Sequence, residues 1–183
     1  MSDNASPEEV AVRSTALKTG VSRITLRGVP HQAGIAARFF REIGDQQINV
    51  SDIIQSVSNG GSNVTMSFTV SSEQTARARA ASEDFVRQYE GSRIEVTENL
   101  ARLRVVGMGM RTHSGVAAKL FEAVAAEGIN IENISTSEIV ISVLVPAEQG
   151  PRALAAVRKA FGLLDEAEDE AADGGALEPD LDL

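Results

Sequence analysis

The sequence has no cysteine and no tryptophan, and 183 residues include only two histidines, one tyrosine and five prolines. Without cysteine there can be no disulfide, thiolate metal site or cysteine nucleophile, and the composition suits a cytoplasmic protein. Two histidines, His31 and His113, leave little for a histidine metal cluster, so neither a metal nor a cofactor is expected. No apolar run approaches the ~18 residues of a membrane span. The opening stretch, MSDNASPEEV, is polar and acidic, unlike a signal peptide or an Arg-rich transit peptide. What is present is a soluble, globular profile, 43% hydrophobic and 23% charged, with room for one ordinary domain or two small ones.

The net charge of −9 has a local origin. Residues 165–183 hold nine acids and no Lys or Arg, which leaves 17 acids against 17 bases in the rest. A balanced body without a basic excess argues against nucleic acid, whose binding depends on phosphate neutralisation. The tail, residues 164–183, is acidic, rich in Ala and Gly, and free of aromatics, so it is expected to be disordered, as are residues 1–8.

A repeat organises the middle of the chain. GIAARFFREIGDQQINVSDI (34–53) matches GVAAKLFEAVAAEGINIENI (115–134) at a constant offset of 81. Gly34 pairs with Gly115, Ile35 with Val116, Ile43 with Val124, Asn49 with Asn130 and Ile53 with Ile134. A period near 80 is too long for a solenoid unit and fits two copies of one small domain.

Periodicity supplies the elements. Ile35, Phe39, Phe40 and Ile43 recur at helical spacing, which predicts a helix over 34–45 and its twin over 115–127. Short strands are expected before them, at 23–28 and 102–107. Val64, Met66, Phe68 and Val70 alternate with polar residues, as Ile139, Ile141, Val143 and Val145 do in the second copy, so each run predicts a strand buried on one face. Asn59-Gly60-Gly61 offers a turn between strands 47–57 and 63–70. A second helix follows in each copy, over 72–89 and 147–161, and RIEVT (93–97) closes the first. The order β-α-β-β-α-β is the ferredoxin-like plan, an α+β fold with two helices on one face of a four-stranded antiparallel sheet.

The second copy lacks its last strand, whereas VAVRSTAL (10–17) is a spare strand ahead of the first. The expectation is that this strand (9–18) completes the sheet of the second copy. The first domain (21–98) is then an insertion in the second (99–163). The competing reading is a frayed three-stranded sheet, which leaves an edge open to pairing.

GVPHQAGIAARFF, INVSDIIQ and, more closely, GMGMRTHSGVAAKLFEAVAAEGINIENISTSEIVISVLV (107–145) resemble the paired ACT domains of aspartate kinase. The resemblance covers about residues 8–163. It implies the short regulatory (beta) form, an ACT pair without the kinase domain, and in that family the strand before the first ACT domain completes the second. No Gly-rich phosphate loop with its Lys and no carboxylate pair for Mg²⁺ stands in the sequence, so no catalytic residues are assigned. The function implied is sensing of lysine, threonine or both, for feedback control of aspartate phosphorylation.

The chemistry of such a site can be placed on residues. A helix opening at Gly115 presents backbone N–H groups at its positive end, a seat for the α-carboxylate of a free amino acid. Glu132 and Glu138 can offer charge to an ammonium group, and Ser137 with the backbone of Asn130 and Ile131 can supply hydrogen bonds. By resemblance the effector contacts fall on Met110, His113, Gly115, Val116, Asn130, Ile131, Glu132, Ser137 and Glu138. A weaker second site takes Gly34, Ile35, Asn49, Val50 and Gln55. Copy one departs from the family pattern, with His31, Ser51 and Thr65 where acids are usual. His31 reads more simply as a solvated turn residue.

Edge-to-edge pairing of ACT sheets places effector pockets at the seam. Val140, Ser142 and Leu144, opposite Ile139 and Ile141, are expected to leave apolar surface for a partner, either a second copy in a homodimer or a catalytic kinase subunit. The alternative function is a stand-alone ACT protein that senses another amino acid for a different enzyme or a transporter. An RNA-binding module of this plan needs exposed sheet aromatics, which are lacking here. An acyl-phosphate-cleaving enzyme of the same plan has only a loose match in Arg111 with Asn130.

Overall fold

The computed structural model describes residues 12–58, 60–107 and 115–163. The expected disordered ends (1–8 and 164–183), the first position of the Asn59-Gly60-Gly61 turn, and Met110 and His113 lie outside these residues.

The helices form where apolar residues repeat at helical spacing. Helix α1 (Ile35–Asp45) buries Ile35, Phe39 and Ile43. Helix α2 (Thr75–Val86) follows a 3-10 turn and buries Ala78, Ala81 and Phe85 along one side. Helix α3 (Gly115–Ala126), the twin of α1, buries Val116, Leu120 and Val124. Helix α4 (Gly150–Ala160) also follows a 3-10 turn and buries Ala153 and Val157. Phe39 lies fully buried with ring centroids 5.5 Å from Phe68 and 4.9 Å from Phe85, so three elements of the first half meet on aromatic contacts.

The strands are β1 (Ser14–Pro30), β2 (Ser51–Val57), β3 (Asn63–Ser71), β4 (Arg93–Val106), β5 (Asn133–Thr136) and β6 (Val140–Pro146). They form one six-stranded sheet in the order β2-β3-β1-β4-β6-β5, with every pairing antiparallel. The two four-stranded sheets expected from the repeat are thus fused. The cause is that β1 and β4 each run through both halves. Val21–Pro30 pairs with β3, whereas Ser14–Lys18 pairs with Val106–Arg102. The short strands expected at 23–28, 93–97 and 102–107 are segments of these two long ones. Each long strand carries an irregularity where the halves meet, marked by Gly20 (φ 67°) on β1 and Asn99 (φ 57°) on β4. Such bulges bend a strand and increase its twist.

Each half has its own core on the helix side of the sheet. Ile24, Leu26, Met66 and Phe68 pack under α1 and α2 in the first. Leu103, Val105, Val143 and Phe161 pack with α3 and α4 in the second. The opposite face of the sheet corrects the expectation of open apolar surface at Val140, Ser142 and Leu144. Leu144 is 1% exposed and packs with Val21 and Leu100, and Ser142 is also buried. The chain covers this face itself where its two halves meet. Ile139 departs from the inward series as well. It precedes β6, in the turn closed by Ser137, and is 55% exposed, while its carbonyl accepts the Gly107 N–H at 2.9 Å.

Candidate functional site

The site residues expected in the second half fall into two groups. Strands β4 and β5 run parallel, because each is antiparallel to β6 between them. The end of β4, the start of α3 and the β5–β6 turn therefore share one end of the sheet. Gly115, Ser137 and Glu138 belong to this end, and the Gly107 N–H bond to Ile139 ties it together. Ser137 is engaged in the turn: its N–H donates to the Val140 carbonyl (2.8 Å) and its Oγ accepts the Val140 N–H (3.1 Å). Val116 is 1% exposed and packs in the second core beneath the helix start.

Asn130, Ile131 and Glu132 lie at the other end of β5. The chain leaves α3 through Gly128 (φ 67°), a left-handed turn suited to glycine. Asn130 is exposed and Ile131 packs against the core. The Glu132 N–H donates to the Leu144 carbonyl at 2.8 Å, which holds the backbone to β6. At about 3.3 Å per residue, the five steps from Glu132 to Ser137 span about 16 Å. One free amino acid cannot bridge that distance within a single copy of the chain.

The weaker second site is laid out the same way. Gly34 opens α1 with φ 87° and Ile35 turns into the core. Asn49 is exposed and its N–H donates to Gln74 Oε1 (3.2 Å), Val50 packs on the core, and Gln55 is exposed on edge strand β2. His31 lies with Nδ1 3.0 Å from the Gly61 carbonyl oxygen and donates its N–H to Ser62 O, so it ties its loop to the β2–β3 hairpin. Ser51 on β2 and Thr65 on β3 stand where the pattern this chain resembles usually has acids, but an acid does enter β2 one residue after Ser51. Asp52 has φ 47°, at an irregularity in the β2–β3 pairing. That backbone turns its carboxylate to the face where the halves meet.

Asp52 is the anchor of a buried polar network that sequence reasoning missed. Its Oδ2 is 2.5 Å from Arg102 Nη2, a pair with side chains 14% and 6% exposed. Arg102 Nη2 also donates to Thr69 Oγ1 (2.6 Å) and Ser51 Oγ (2.9 Å), and Ser135 Oγ donates to Asp52 Oδ1 (3.0 Å). Burial lowers the affinity of Arg102 for its proton, and the Asp52 charge opposes that shift. A second cross-link joins Arg23 of β1 to Glu132. The guanidinium donates to the Glu132 backbone carbonyl and pairs with its carboxylate, Nη2 to Oε2 3.0 Å. The only hint in the sequence was the polar pair Ser51-Asp52 at a strand start.

The outer edges are β2 and β5. They carry Ile53, Ile54, Val57 and Ile134, all exposed, and Ile53 and Ile134 are partners in the repeat. Among the described residues no group of three His, Asp or Glu side chains is placed to hold a metal ion, and no helix is long and apolar enough to cross a membrane.

Comparison with known proteins matches this architecture. The sequence profile of the ACT domain fits residues 24–84 and 103–161. The regulatory subunit of aspartate kinase from Thermus flavus superposes with a TM-score of 0.76 at 39% identity, covering 82% of this chain and 99% of that one. A structure of aspartokinase alpha and beta subunits gives 0.73 at 37% identity, covering 83% and 99%. Aspartokinase of Thermus thermophilus is 40% identical over 154 residues, 84% of this chain but 38% of that protein's length.

Proposed function

The chain belongs to the ACT-domain regulatory subunits of aspartate kinase, and we propose that it senses lysine, threonine or both on behalf of a catalytic kinase subunit. ATP-dependent phosphorylation of L-aspartate belongs to that partner, in the cytoplasm, and the sensing chain imposes feedback control on it. Association with a catalytic subunit is supported by the likeness to the beta chain of an alpha–beta aspartokinase.

The observation that carries the reading is the split of the candidate contacts between the two ends of one edge strand. A second edge strand running antiparallel beside β5 brings the helix-start end of one ACT unit next to the 130–132 end of the other. The helix start then offers N–H groups to an α-carboxylate, and Glu132 or Glu138 offers charge to an ammonium. Met110 and His113, which precede Gly115 in the sequence and lie outside the described residues, are assigned to the helix-start group by resemblance alone. The exposed Ile134, and on the other edge Ile53, Ile54 and Val57, are the apolar surface such pairing covers, in a homodimer or against a kinase subunit. Gly34, Ile35, Asn49, Val50 and Gln55 form the second, weaker site by the same arrangement on β2.

A guest at the seam touches both strands, so it favours the paired arrangement by its difference in affinity for the two states. Titration calorimetry of the chain with lysine and with threonine tests this. Heat of binding with at least one is expected, together with a rise in thermal midpoint. Absence of both signals at millimolar concentration of either amino acid refutes effector sensing by this chain.

A further inference from the structure

Two side chains of the first half reach one short stretch of the second. Arg23 holds Glu132 by both its backbone carbonyl and its carboxylate, and Arg23 Nη2 also lies 3.4 Å from Thr97 Oγ1 on β4. Asp52 accepts the Ser135 hydroxyl, and is itself fixed by Arg102 and Thr69. Residues 132 and 135 are thus gripped from the other half of the molecule. The strand that starts just after Glu132 and contains Ser135, β5, has four residues and a single neighbour, β6. So short an edge strand makes few ladder hydrogen bonds, and these two ties add to them from the first half of the molecule.

We infer that Arg23 and Asp52 are positioning residues for the segment 130–136, and that the first ACT unit sets the resting place of the second unit's candidate contacts. The grip stands on the geometry alone; its purpose rests on the sensing reading above. Arg23 already occupies the Glu132 carboxylate. A cationic guest that uses Glu132 must share that carboxylate or displace the guanidinium, and either event is felt in the first unit. By linkage, a guest bound at the first unit and a guest bound at the second change each other's affinity by the same factor. The coupling has a physical carrier, since both ties are made by named groups in direct contact.

Hydrogen exchange on the intact chain without ligand tests the grip in Arg23→Met, Arg23→Lys and Ser135→Ala. Exchange at residues 132–136 is expected to speed up by about tenfold or more in Arg23→Met, with α3 and α4 unchanged. Arg23→Lys should give a smaller effect, because one ammonium cannot reproduce the fork that meets carbonyl and carboxylate together. Ser135→Ala should act on the same residues while leaving the Asp52–Arg102 pair intact. Unchanged exchange at 132–136, or an even rise over the whole chain, overturns the inference. Calorimetry separates this from the sensing reading. If wild type binds lysine, an equal affinity in Arg23→Met overturns the positioning role. If wild type binds neither amino acid, sensing fails and the exchange data alone decide the grip.

Discussion

Arg102 shows that a buried charge can serve placement at the expense of stability. Burial leaves its guanidinium holding its proton less tightly in the folded than in the unfolded chain, with Asp52 offsetting only part of this. A base with a lowered folded pKa subtracts stability at every pH below that value, and the loss is recovered only in strongly alkaline solution. Removing one partner is worse still, because the other charge stays inside. Arg102→Met is expected to lower the unfolding free energy by about 3 kcal/mol, and Arg102→Met with Asp52→Asn to recover more than half of it. Asn tolerates the left-handed backbone at this position. Urea denaturation reads both values, and a double variant no more stable than the single one contradicts the account. Asp52 escaped the sequence reading for a definite reason. Strict alternation sends Ser51 and Asp52 to opposite faces, and only a positive φ at an irregular pairing brings both onto Arg102.

Elements were legible wherever one period ran unbroken. The repeat placed α1 and α3, and alternation placed β3 and β6, because each buries one face against a local core. The long strands were less legible. Thr19-Gly20 and Glu98-Asn99 look like breaks in sequence, yet they are bulges within continuous pairing. The inner face at Leu144 was misjudged because its cover, Val21 and Leu100, comes from distant strands. Contact between α4 and the N-terminal half of β1 can be tested at Gly150. A Cβ there would stand 3.1 Å from Ala101 Cβ and 3.2 Å from a Leu17 methyl. Gly150→Val is therefore expected to cost about 1–3 kcal/mol through overpacking. Gly44, near the end of α1, has open space around its Cβ position, and Gly44→Ala should stabilise by up to about 1 kcal/mol. Thermal denaturation of the two variants, with shifts of opposite sign, is the check.

At the scale of the molecule, two cores hang on one pair of shared strands. Melting either core unpairs a segment of both β1 and β4, and both strands continue into the other core. Unfolding is thus expected as one transition, with calorimetric and van't Hoff enthalpies in agreement. Phe39→Ala, a change confined to the first core and costing about 3–5 kcal/mol, should lower that single midpoint and leave no second, unshifted one. Two resolved transitions in the scan would contradict the shared-strand account.

That construction also bears on ancestry. The repeat looks like a tandem duplication, but both joints between the halves are hydrogen-bonded backbone, with no free tether to cut. A crossover that traded one half for a cousin's would break inside a ladder, and each fragment would be missing a strand. The pair is expected to be inherited, and lent to other genes, only as an undivided cassette.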